Sequence, residues 1–266
     1  MRALALVLLL ALAAVPARAQ EDDPARLERW QDLKQAVFGA RPVEDGAGVI
    51  ALDAPARALD AALVPVTVTV APDSRAGRIA AVWLLVDGNP SPLAGTFRFG
   101  PAADPRTLKT RIRVDQYTLV HAVAEAEDGR LYSAARFVKA AGGCSAPSSK
   151  DAKLAMSRMG QIRVRLDGEA LHAGEAATAH VQISHPNNNG MQVDQVSNLF
   201  IPARYIQDIK VTYGGTPVLS VDADISLSED PVITFGFVPR GDGPMRVEVL
   251  DSAKATFKQE FRLAGS

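Results

Sequence analysis

The stretch VPVTVTV at 64–70 places a valine at every second position, with Pro65, Thr67 and Thr69 between them. Successive side chains of a strand leave opposite faces, so a period of two sends the valines to a core and the threonines to water. QIRVRL at 161–166 repeats the pattern, with Ile162, Val164 and Leu166 on one face and Arg163 and Arg165 on the other. A chain written this way must build half-buried sheets and cover their apolar faces. IAAVWLLVD (79–87), a more continuous apolar run, reads as a central strand. LKTRIRV (108–114), YTLVHAVAE (117–125) and RLYSAARFV (130–138) follow, the last two joined by an Asp128-Gly129 turn signal. TAHVQIS (178–184), RYIQDIKVTY (204–213), VITFGFV (232–238), MRVEVLD (245–251) and TFKQEFRL (256–263) continue the series. One segment departs from it: DPARLERWQDLKQAVFG puts Leu27, Trp30, Leu33, Val37 and Phe38 on one helical face, with Gly39 to end it, and no second helix is signalled. Many short strands after one helix predict an all-β chain of two sandwich domains in tandem behind a short N-terminal helix.

Residues 1–19 read as a signal peptide: Arg2, an apolar run from Ala3 to Val15, then Ala17-Arg18-Ala19 before the cut. The run is too short for a spanning helix, and no later stretch is apolar enough to cross a membrane. Without that leader the chain carries a charge of about −3, which offers no electrostatic footprint for nucleic acid. Only one cysteine is present among 266 residues, so no internal disulfide can form although an exported protein would tolerate one. An odd cysteine in such a protein flags a reactive thiol or a disulfide-linked dimer.

That cysteine is Cys144, in FVKAAGGCSAPSSK (137–150). The segment 140–158 is a linker by composition, between a first domain at 20–139 and a second at 159–266. Gly142, Gly143 and Ser145 have no side chains from which to build a core, so Cys144 is expected to be displayed to solvent. Lying six residues beyond Val138, it could reach roughly 20 Å from the sandwich at about 3.3 Å per residue. Lys139, Lys150 and Lys153 would favour its thiolate weakly, and the two glycines would allow the backbone through a narrow entrance. Cysteine hydrolase chemistry needs a base fixed beside the thiol. His121 and His180 fall within predicted strands, His172 in a turn and His185 at a strand end, none spaced as metal ligands. One cysteine cannot make a multi-thiolate zinc site, HPNNNG (185–190) reads as a loop at a domain edge, and the glycine pairs read as hairpin turns. No metal, no cofactor and no catalytic residue is expected.

GGC after a strand ending in FVKA resembles the carrier segment of SoxY, the sulfur-carrying subunit of SoxYZ. His185 to Gly190 (HP-x-x-x-G), IPARYIQDIKVTYGG (201–215) and DPVITFGFV (230–238) resemble its partner SoxZ. With NPSPLAGTF (89–97) and TRIRVDQYT (110–118), the order resembles the fused SoxYZ-like carriers associated with quinoprotein dehydrogenases. The resemblance implies two immunoglobulin-like sandwiches, a periplasmic address, and a cysteine that holds sulfur intermediates covalently for separate enzymes. Those partners would be periplasmic sulfur-oxidising or quinoprotein dehydrogenase enzymes; the alternative is a non-catalytic accessory or assembly module of such a dehydrogenase. Ser145-Ala146-Pro147 replaces the second glycine pair of SoxY, and the chain continues, so a free arm becomes a loop tied at both ends. The carrier reading expects an accessible thiol; one enclosed on a rigid segment would leave only a docking scaffold.

Overall fold

A computed structural model describes residues 23–146, 152–168, 171–241 and 243–263. The expected signal peptide lies outside these residues, as do Pro147 and Lys150. Helix α1 (Pro24–Phe38) starts where the Asp23 carboxylate accepts from the Ala25 N–H at 3.1 Å and Pro24 supplies a preset φ. It stops at Gly39, whose φ of 61° suits glycine. Phe38 is buried on the outer face of the first sheet against Leu85, Val123 and Leu131, with Trp30, Leu33 and Val37 half-covered. Leu27, expected on the same face, is exposed.

The strands are β1 (Val43–Asp45), β2 (Ile50–Asp53), β3 (Val64–Val70), β4 (Ile79–Val86), β5 (Leu93–Phe99), β6 (Ala103–Ile112), β7 (Thr118–Ala126) and β8 (Leu131–Val138). A seven-residue helix α2 (Ala152–Arg158) follows, in a stretch whose composition reads as linker and where no helix is signalled. Then come β9 (Ile162–Leu166), β10 (Ala177–Ile183), β11 (Ile206–Tyr213), β12 (Thr216–Ala223), β13 (Val232–Phe237), β14 (Met245–Asp251) and β15 (Thr256–Phe261). In β3 the four valines point inward, as alternation requires. All eleven predicted segments contain strands; β1, β2, β5 and β12 are additions.

The strands form two layers, ordered β1-β8-β7-β4-β5-β12-β11-β14-β15 and β2-β3-β6-β13-β10-β9. Strands up to β8 make a first sandwich and those from β9 a second, joined edge to edge in both layers. In one layer β5 pairs antiparallel with β12, Phe97 opposite Val221. In the other, β6 pairs with β13, Leu108 opposite Phe235. Edges that would otherwise expose unpaired N–H and C=O groups thus satisfy one another. One buried cluster runs from Val49 to Val249, with Phe97, Phe235 and Phe237 all fully enclosed.

Candidate functional site: the docked cysteine arm

The site sits at this seam. After β6 the chain runs through Arg113, Val114 and Asp115, and the segment following β8 lies against it. The Gly142 N–H donates to the Asp115 carbonyl at 2.8 Å and the Gly143 N–H to the Val114 carbonyl at 3.0 Å. The Cys144 N–H donates to Asp115 Oδ1 at 3.3 Å. From the second sandwich, Asn189 Nδ2 donates to the Cys144 carbonyl at 2.7 Å. Arg113 Nη1 donates to the Gly143 carbonyl at 3.1 Å. Two glycines are required here for different reasons. Gly142 holds φ at 77°, where a side chain is strained. At Gly143 a Cβ would overlap the Ala61 carbonyl oxygen and lie 2.6 Å from that of Val114. Ala141 and Ser145 stay exposed on either side, so the arm dips into the seam and out again.

Cys144 is therefore not displayed: it is 1% exposed. Its neighbours in sequence do not bury it. Distant segments hold the arm, with Gly143 against the Ala61 and Val114 carbonyls and the Cys144 carbonyl bonded by Asn189, and small residues let them close in. The disulfide-linked dimer expected of an exposed thiol would require the arm to leave the seam first, because Cys144 is buried where it is docked. Burial pushes the thiol up to about 11, reinforced by the Asp115 carboxylate and opposed by the Arg113 guanidinium. In the docked arm Cys144 is a neutral thiol, and the thiolate is the reactive form.

The HPNNNG loop, expected at a domain edge, is the clasp. His185 is fully buried, and its Nδ1 accepts the Asn187 N–H at 3.0 Å, which puts the ring proton on Nε2, 3.6 Å from the Asp251 carboxylate. Burial holds its pKa below the ordinary histidine range. Asn187 ties three segments together: Nδ2 donates to the Ser228 carbonyl at 2.9 Å and Oδ1 accepts the Ile206 N–H at 3.0 Å. Asn189 Oδ1 accepts the Met191 N–H, which aims Nδ2 at Cys144. The other histidines are elsewhere. His121 stacks on Trp30 at 3.7 Å and bonds Asp87 at 3.1 Å, under α1; His180, on β10, bonds Asp167 and Thr234. Among the described residues no histidine bonds Cys144 and no cluster of three His, Cys, Asp or Glu could hold a metal. Arg113, Asp115, Asn187 and Asn189 are the residues that sequence reading overlooked. LKTRIRV reads as one strand over 108–114, whereas β6 ends at Ile112 and the next residues enter the seam; the run of three asparagines was the available signal.

Family models resolve what such an arm belongs to. That of SoxY, described as sulfur oxidation protein SoxY, matches residues 34–144, and that of SoxZ, described as sulphur oxidation protein SoxZ, matches 164–262. The chain is a fused SoxYZ-like protein. The SoxY match ends on Cys144, and the SoxZ match contains the asparagine clasp. SoxY and SoxZ are carrier or accessory proteins of sulfur oxidation rather than catalysts. A comparison with curated proteins finds no match. Among solved structures, a beta-glycosidase from Bacteroides vulgatus is 9% identical at a TM-score of 0.24, over 80% of this chain and 24% of its own. A glycosyl hydrolase family 2 (GH2) member from Bacteroides cellulosilyticus DSM 14838 is 11% identical at a TM-score of 0.24, over 86% of this chain and 30% of its own. The chain thus spans under a third of either. No helix of the described residues is long and apolar enough to cross a membrane.

Proposed function

We propose that this SoxYZ-like chain is a periplasmic covalent carrier whose cargo rides on Cys144, and that the docked arm is its resting state. The observation that carries this reading is the sole cysteine on a Gly-Gly arm held by hydrogen bonds and backbone packing rather than by side chains of its own. Five hydrogen bonds at about 1 kcal/mol net each oppose release, while freeing the backbone of residues 141–145 returns about 1–2 kcal/mol of entropy per residue. These quantities are of like size, so a partner that binds the free arm can draw it out. Once released, the thiol returns to its ordinary pKa and supplies thiolate. Sγ then joins the sulfhydryl sulfur of the cargo; both thiol protons leave to water, and two electrons pass to the partner redox enzyme. SoxYZ proteins are periplasmic in general, which agrees with the signal peptide read at 1–19.

Intact-mass measurement of protein taken from cells given reduced sulfur compounds tests the proposal. Sulfur or sulfur-oxyanion adducts on Cys144 are expected; an unmodified thiol under every growth condition would overturn it. Enclosure of the thiol favours a second reading, an accessory module of a quinoprotein dehydrogenase in which Cys144 is an inert small hydrophobe. Cys144→Ser separates the two: the carrier loses sulfur-dependent electron flow, whereas the accessory keeps full dehydrogenase activity.

A further inference from the structure

Arg113 is 0% exposed, the largest of the fully buried side chains. Among the described residues its guanidinium donates only to carbonyls, Gly143 at 3.1 Å from Nη1 and Asn187 at 3.5 Å from Nη2, while Nε has no acceptor. Among the described residues no carboxylate forms an ion pair with it. Burial pulls its pKa down, opposed at longer range by Glu229, Cys144 and Asp60. Glu229 compensates incompletely, because burial pushes its carboxyl up to about 7 against the pull of Arg113. A buried cation left unpaired is costly, and an orphaned buried donor calls for a ligand or a specific purpose. Here the spare donor belongs to the group that grips the peptide immediately before Cys144. Guanidinium presents its N–H groups in the planar fork that oxyanions accept.

We infer that Arg113 is the cationic subsite for the anionic end of a group carried on Cys144, so that a sulfonate or similar oxyanion on Sγ is held in the seam when the loaded arm docks. The inference rests on the carrier reading. It assigns charge selectivity to a residue of the SoxY half and makes the seam a shelter for cargo between partners.

Synthetic adducts test it on the full chain. Cys144 is converted to mixed disulfides with sulfonatoethyl and with trimethylammonioethyl methanethiosulfonate in mild denaturant, refolded, and checked for complete conversion by mass. Release by dithiothreitol is then timed, each rate divided by that of the same adduct in unfolded protein. The sulfonate should leave about tenfold more slowly than the ammonium, as expected of one additional charge-assisted hydrogen bond. Arg113→Gln should bring the ratio close to one and Arg113→Lys should retain part of it. Equal normalised rates in the unsubstituted protein would overturn the inference and leave Arg113 as a structural tie, a result readable even if Arg113→Gln fails to fold. The two failures are distinguishable: a permanently unmodified native thiol would sink the carrier reading and this inference with it, whereas equal normalised rates alongside a native adduct on Cys144 would sink this inference alone.

Discussion

At the scale of the residue, the seam sets the chemistry of Cys144 by deciding which protonation state it tolerates. A thiol with a docked pKa of about 11 and a released value near the ordinary 8.5–9 is neutral in both states below about pH 8, so its ionisation does not affect docking there. Above the ordinary value the released thiol ionises and the docked one does not. Docking therefore weakens from about pH 9 and loses this contribution fully by about pH 11, at about 1.4 kcal/mol per unit. Iodoacetamide should label Cys144 slowly at pH 7.5, with a rate that keeps rising past pH 9.5; a plateau following a pKa near 8.5 would show the thiol already free. Gly143, like Gly142, has its identity forced. Gly143→Ala should drive the arm off the Ala61 and Val114 carbonyls, costing about 1–3 kcal/mol and raising labelling at pH 7.5 by about five- to a hundredfold.

At the scale of the element, the arm and the asparagine loop make a latch with one half in each sandwich. The direct side-chain link across it is Asn189 Nδ2 to the Cys144 carbonyl. Asn189→Ala leaves that buried acceptor unpaired, at about 1–3 kcal/mol, and should accelerate thiol labelling by about five- to a hundredfold. The global unfolding midpoint should move far less than labelling does; a variant that unfolds without a selective gain in thiol reactivity would deny the loop its clasping role. The loop was legible as polar and turn-rich. Its occupancy was not, because HPNNNG gives no hint that residue 189 faces residue 144 across 45 positions of sequence. Likewise β5 and β12 escaped reading because neither alternates: β5 buries Ala94 to Phe97 consecutively, and β12 buries both Val218 and Leu219.

At the scale of the whole molecule, the two sandwiches share both sheets and one core, so neither can open its joining edge without exposing paired backbone and the apolar surface of Phe97, Phe235 and Phe237. Calorimetry should show a single transition for the full chain. Ser220→Pro, at a residue whose N–H faces Arg98 of β5, removes a ladder donor at the join and should lower stability by about 3 kcal/mol or more while broadening or splitting that transition. Two well-separated transitions in the unsubstituted chain would mean that the sandwiches fold independently and that the seam is a mere contact.

The spacing of apolar side chains, every second residue in strands and one face of a helix at 24–38, was enough to fix the all-β class, most strands and the helix before them, because those depend on the period of the local backbone. The single cysteine was likewise plain from the chain alone, as was its bracket of glycine and serine. Whether that cysteine faced water was decided only by tertiary structure. Gly142 and Gly143 are too small to bury anything themselves, but for the same reason they admit the walls of two neighbouring sandwiches. Enclosure by distant backbone leaves no mark in the local sequence.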